Sequence, residues 1–129
     1  MPILQIDSNL SKSNVPKDFR VKTCELMADI FKSPINFCVV HMNMEQDMYW
    51  YGLVSPCILG TLKIIDSSGI ISPKQNIGHA EILVKHISDN LKIPNNNISI
   101  SFVEQDAENV TIFNTTVSNF LQNKNSILQ

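Results

Sequence analysis

Pro2 is the residue whose type and position most readily do chemistry. An initiator methionine followed by a small residue is expected to be trimmed, which leaves a free secondary amine at the head of the chain. An α-amino group titrates at about pH 7.7–8.0 in model peptides, and burial or a nearby cation lowers that value. Such an amine is neutral at physiological pH and suits a general base that takes a proton α to a carbonyl. Met-Pro is also an ordinary way for a chain to start, and taken alone one residue carries little specificity.

The other chemistry-bearing residues form weaker patterns. His41, His79 and His86 lack zinc-site spacing, since the last two lie seven apart on one helix rather than four, so no metal is expected. There is no Gly-rich phosphate loop and no GxSxG. Cys24, Cys38 and Cys57 are odd in number, widely spaced and without a CxxC, which suits reduced, partly buried thiols. Cys24 and Cys38 read as small core hydrophobes. Tyr49-Trp50-Tyr51 could stack on a ligand, but a packed edge strand or a subunit contact accounts for it better. Glu104, Asp106 and Glu108 form an acidic stretch expected to face solvent.

The elements that must position Pro2 follow from periodicity. Residues 2–6 read as a first strand and 7–14 as a polar loop. A helix opens near Val15-Pro16, carries Phe19, Leu26, Met27, Ile30 and Phe31 on one face, and stops at Ser33-Pro34. Residues 37–42 read as a second strand, 48–52 as a short aromatic edge strand, and 57–65 as a further strand. Ser72-Pro73-Lys74-Gln75 is a helix start with a capping box. Ala80, Leu83, Val84, Ile87 and Leu91 give that helix its buried stripe, and Pro94 with the Asn95–Asn97 run ends it. Residues 98–103 alternate as a strand. Residues 118–129 read as a polar, frayed tail behind one domain of residues 1–117.

The fold class is therefore α/β: two βαβ units, repeated at an offset of about 55 residues, form a four-stranded mixed sheet with two helices on one face. Strands 37–40 and 57–65 are apolar on both faces, which implies burial of the open face by self-association. The chain has 129 residues, 43% of them hydrophobic, and a formal charge of −2, so neither nucleic acid nor an anionic membrane is an expected partner. No run of about 18 apolar residues occurs, and the first residues carry no secretory signal. The expected location is the cytosol, with export only by a leaderless route. The sequons at Asn97, Asn109 and Asn114 then read as chance matches.

Met1-Pro2, Ser8-Asn9-Leu10, Val15-Pro16-Lys17-Asp18-Phe19, Val39-Val40-His41, Ser55-Pro56-Cys57, Ile65, Gln75-Asn76, Ala107-Glu108-Asn109-Val110 and Phe113-Asn114-Thr115-Thr116 occur in an order that carries a resemblance over almost the whole chain. The sequence resembles the macrophage migration inhibitory factor family of the tautomerase superfamily, with about three extra residues between Asp66 and Lys74. The resemblance implies a homotrimer whose sheets form a central barrel. It implies keto–enol tautomerisation of arylpyruvate-like aromatic keto acids with the N-terminal proline as base, and no cofactor. Family members also act as secreted immune regulators, which implies a cell-surface receptor as an alternative partner.

Residue by residue, the resemblance puts Pro2 at the catalytic position and Ile65, Phe37, Val110 and Phe113 on the pocket walls. The family's pocket lysine directly precedes a proline. Here Ser33 holds that register and Lys32 comes one position early, so a local shift is needed to bring Lys32 to the substrate carboxylate. Ser99 and Ser101 stand where the family has Tyr and Asn on a strand donated by the neighbouring subunit, which implies a wider pocket. Gly60 replaces the second cysteine of the family's CxxC, and a thiol–disulfide oxidoreductase role loses its partner thiol.

Overall fold

Alternation builds the sheet. In β1 (Ile3–Ser8), Leu4, Ile6 and Ser8 are buried and the residues between them face the other way. In β3 (Ile58–Ile65), Ile58, Gly60, Leu62 and Ile64 are buried in the same sense. With β2 (Val39–Asn43) and β4 (Ile98–Gln105) they form one sheet in the order β2-β1-β3-β4. β1 runs parallel to β2, β3 runs parallel to β4, and the central pair is antiparallel. Two parallel βαβ units are thus joined back to back, as the sequence predicts. The computed structural model describes residues 1–65 and 69–128, with side chains as far as Asn123. Most of the extra segment between Asp66 and Lys74 is described, but residues 66–68 of it lie outside.

Gly60 sits where the strands are closest to what packs on them. A Cβ there would lie 3.3 Å from the Gln5 carbonyl oxygen and 3.3 Å from Ile100 Cγ1. The position that lacks a cysteine is therefore tight, and a thiol would need its neighbours to give way.

Both helices lie on the face lined by Leu4, Ile6, Ile58, Leu62 and Ile64, and with them form the core. α1 (Phe19–Ile30) buries Phe19, Thr23 and Met27. It starts later than Val15-Pro16, because Lys12–Asn14 form a 3-10 turn and the Pro16 carbonyl closes a separate turn onto the Phe19 N–H (3.1 Å). α2 (Pro73–Leu91) opens as expected at Ser72, whose hydroxyl accepts from the Gln75 N–H (3.2 Å). The capping box is only half made: the Gln75 amide donates to the Gly69 carbonyl (2.8 Å) instead of reaching back to Ser72. His79 joins the buried stripe of α2 that the sequence reading gives to Ala80. Its ring packs on Phe31 (4.8 Å) and Phe102 (6.2 Å), and its Nε2 bonds the Ile70 carbonyl (2.9 Å).

The two helices are also joined by a polar contact. Thr23 Oγ1 donates to the Phe19 carbonyl (2.6 Å), so His86 Nε2 must be the donor in its 2.9 Å bond to Thr23 Oγ1. His86 Nδ1 then accepts from the Asn90 amide (3.4 Å), and Phe19 stacks on the ring (5.5 Å). This neutral tautomer is satisfied at both nitrogens. Burial, and after it the Lys22 cation, holds His86 below its usual pKa of 6.5, with Asp89 opposing. A histidine whose folded pKa is depressed gives its full stability above its unfolded pKa and loses it as pH falls through 6.5 toward the folded value. The urea midpoint is expected to be lower at about pH 5 than at about pH 7.5, and the difference is expected to shrink in His86→Gln. An equal pH dependence in wild type and variant would contradict this.

Three segments differ from the sequence reading. Residues 35–37 form a 3-10 turn, so the second strand starts at Val39 and Phe37 lies ahead of it. Residues 48–52 are no edge strand. Trp50 and Leu53 close a tight two-residue turn (2.9 and 2.8 Å) through left-handed Tyr51 (φ 45°) and Gly52 (φ 85°). Trp50 is buried and its indole donates to the Asn96 carbonyl (3.2 Å), while Tyr49 and Tyr51 are exposed. Residues 118–129, read as a polar frayed tail, belong for most of their length to α3 (Val117–Leu128), which follows the short hairpin of β5 (Thr111–Ile112) and β6 (Thr115–Thr116).

The sheet face away from the helices carries Val39, Leu59 and Val103, exposed by 47%, 50% and 39%. Val39 and Leu59 are the outward-facing apolar residues that the two-faced strand pattern predicts, and Val103 of β4 adds to them.

Candidate functional site

The antiparallel pairing of β1 with β3 places the start of β1 beside the end of β3, and the parallel pairing with β2 places it beside the turn at residues 35–37. Pro2 is fully buried at that junction, and its carbonyl accepts from the Val39 N–H (3.0 Å). Its neighbour Met1 lines a cavity of about 420 Å³, within the range of small-molecule sites, while Pro2 itself is not part of the lining. Ile64 and Ile65 from β3, Phe31 from the end of α1, and Phe37 line it. The C-terminal part of the chain contributes Ala107, Ile112 and Val117 with Phe120 and Leu121 of α3. Met1 is half-buried as part of this lining.

Met1 is joined to the Pro2 nitrogen and lines the cavity, so trimming it would free that nitrogen and add the space of Met1 to the cavity. The terminal amine already shows the local electrostatics: burial lowers its pKa from the ordinary 8.0, and the Cys38 thiol opposes that shift. Burial in turn raises the Cys38 thiol's pKa, so this cysteine is not activated as a nucleophile.

Lys32 reaches the cavity through the way α1 ends. The Phe31 N–H bonds the Met27 carbonyl (3.0 Å), Lys32 is left-handed (φ 54°), and the Ser33 N–H bonds the Ala28 carbonyl (3.1 Å). This is a Schellman ending with lysine where glycine is usual. The chain reversal compensates the one-residue offset, and Lys32 and Ser33 both line the cavity. α2 ends on a second left-handed lysine, Lys92 (φ 58°).

Lys32, Phe37 and Ile65 are therefore brought together in one lining with Met1; Pro2 is buried and outside that lining, and four other predicted site residues do not join it either. Val110 is half-buried outside the cavity, its carbonyl holding the Val117 N–H (2.8 Å). Phe113 is left-handed (φ 53°) and 79% exposed; the lining residue is its neighbour Ile112, and Phe113 only packs on Phe120 (5.6 Å). Ser99 and Ser101 are exposed on the open face of β4, paired with Leu59 and Thr61, and do not line their own chain's cavity. The sequence reading missed Ile112, Val117, Phe120 and Leu121. The last three stand at i, i+3 and i+4, a helical apolar stripe inside a polar stretch that was available as a signal.

A mixed sheet of two βαβ units with an apolar cavity lined by Met1 at the head of its first strand defines one class of protein. The model of the family described as macrophage migration inhibitory factor matches residues 1–118, and the chain belongs to that family. It is 34% identical over 116 residues to the macrophage migration inhibitory factor homolog of Trichinella spiralis, covering 90% of this chain and 99% of the relative. It is also 34% identical over 116 residues to the Brugia malayi homolog, covering 90% and 98%. The solved structure of the Trichinella spiralis factor superposes with a TM-score of 0.84 at 32% identity, over 88% of this chain and 98% of that one.

Proposed function

We propose that the chain, once trimmed of Met1, interconverts the keto and enol forms of arylpyruvate-type acids with the Pro2 nitrogen as base. The observation that carries this reading is the buried Pro2 directly behind Met1 in the chain, where Met1 occupies the lining of an apolar cavity with a single lysine, Lys32. The amine takes a proton from the carbon next to the ketone. The electron pair moves into a C=C bond, the carbonyl oxygen becomes the enol oxygen, and the proton is returned there. Phe37 and Ile65 hold the ring and Lys32 holds the carboxylate. The test is turnover of phenylpyruvate by protein that mass spectrometry shows to lack Met1. A rate well above the buffer rate is expected, and a rate equal to it would overturn the proposal.

Lys32→Ala removes a hydrogen bond to a charged group, worth about 1.5–3 kcal/mol. Because Lys32 is exposed, the lower end applies, and KM for phenylpyruvate is expected to rise about tenfold with a smaller change in kcat. An unchanged KM would remove Lys32 from the role of carboxylate binder.

We also infer a homotrimer. Val39, Leu59 and Val103 leave an apolar open face for neighbouring copies, and Ser99 and Ser101 on that face would then be offered to a neighbour's cavity. A second reading, a signalling ligand exported by a leaderless route that acts on a cell-surface receptor, draws on Ser33, Ser99 and Ser101 at positions where the resemblance calls for Lys, Tyr and Asn. A correctly trimmed trimer without turnover would favour it.

A further inference from the structure

Residues past the end of the family match take part in the cavity. The match stops at residue 118, and Phe120 and Leu121 of α3 line the cavity together with Met1 and Phe37. α3 is fastened at its start rather than hanging free. Val117 is 3% exposed and its N–H is held by the Val110 carbonyl (2.8 Å). Thr116 Oγ1 caps the helix by accepting from the Asn119 N–H (3.1 Å), and the Asn119 side chain bonds Thr115 Oγ1 (2.9 Å). Phe113 backs the Phe120 ring edge-on, at 5.6 Å and 60°. Leu121 lines the cavity while 47% exposed, which puts it at the mouth.

We propose that α3 is a specificity wall: Phe120 and Leu121 close the cavity around a single aryl ring whose carboxylate lies toward Lys32, and they discriminate against larger aryl groups. The inference rests on the proposed tautomerase reading for the nature of the substrate. It rests on the geometry alone for the claim that α3 shapes the site. At about 420 Å³ the cavity is near the small end for such sites, so the loss of one lining ring changes the size of ligand it accepts.

The experiment uses the full Met1-less chain and its Phe120→Ala, Phe120→Leu and Leu121→Ala variants, with circular dichroism and melting to confirm folding. KM and kcat are measured for phenylpyruvate and for a biphenyl-substituted pyruvate, and calorimetry gives Kd for cinnamate, an aryl carboxylate that needs no turnover. Phe120→Ala is expected to raise KM and Kd for the single-ring ligands about tenfold. It is expected to leave kcat within about threefold and to improve the relative kcat/KM for the biphenyl substrate, while Phe120→Leu restores part of the preference. Unchanged constants in both alanine variants would overturn the proposal and leave the tautomerase reading intact. Cinnamate binding that Phe120→Ala weakens, in a protein without turnover, would uphold the wall and overturn the tautomerase reading. Neither turnover nor binding would overturn both.

Discussion

Pro2→Gly, in protein trimmed of Met1, is expected to lower kcat/KM for phenylpyruvate by at least about 10²-fold, with little change in KM. Glycine keeps a terminal amine but loses the ring that fixes its direction. The Pro2 carbonyl is held by the Val39 N–H at 3.0 Å, so in the wild type both ends of the residue are fixed: the ring sets the nitrogen and the strand sets the carbonyl. Lys32, Phe37 and Ile65 are untouched by the change, so substrate binding persists. Protein that retains Met1 is expected to be inactive, because the Pro2 nitrogen is then an amide nitrogen, conjugated to a carbonyl and without a basic lone pair. Full activity in Pro2→Gly, or in protein retaining Met1, would contradict a role for this nitrogen as the base.

The second large effect concerns assembly. Leu59→Glu is expected to convert a trimer at micromolar concentration into a monomer, with the mass from light scattering falling from three times the 14.5 kDa chain to one. Leu59 is half-exposed on the open face, where β3 pairs it with Asp7 on one side and Ser99 on the other. A carboxylate there would be buried beside Asp7 in every copy of an interface, and a buried charge without a partner is costly. Within one chain the same side chain faces solvent, so the helices and sheet are expected to survive the change. Activity is expected to fall with the trimer if Ser99 and Ser101 complete a neighbour's cavity. A wild-type protein that is already monomeric would contradict the inference from the open face.

The sheet was legible because 37–40 and 57–65 are short apolar runs and 98–103 alternates, and α2 because Ser72-Pro73 marks its start and Leu83, Ile87 and Leu91 its buried side. Of the residues the resemblance points to, Phe37 and Ile65 line one cavity, brought there by a short turn and a regular strand, and Pro2 is buried at the head of the neighbouring strand. Where local geometry departs from regular structure, sequence reading lost the residue. The turn at Tyr51-Gly52 replaces an expected strand, whereas Lys32, named with a local shift in mind, reaches the lining through its left-handed backbone. At Phe113 the left-handed backbone turns the ring outward and leaves the wall to Ile112. The stretch after Thr116 misled by composition: Asn, Ser and Gln dominate it, yet Val117, Phe120 and Leu121 fall on one helical face and meet the cavity.

The most direct test is a titration of the Pro2 nitrogen in the trimmed chain, followed by its ¹⁵N chemical shift, with the pH profile of kcat/KM taken on the same sample. Burial disfavours a charged amine and Pro2 is fully buried, so the freed Pro2 amine is expected to lose its proton below the ordinary α-amino range and the rate to fall as pH drops through that same value. A nitrogen that titrates at or above that range, or a rate that ignores its titration, would contradict the account.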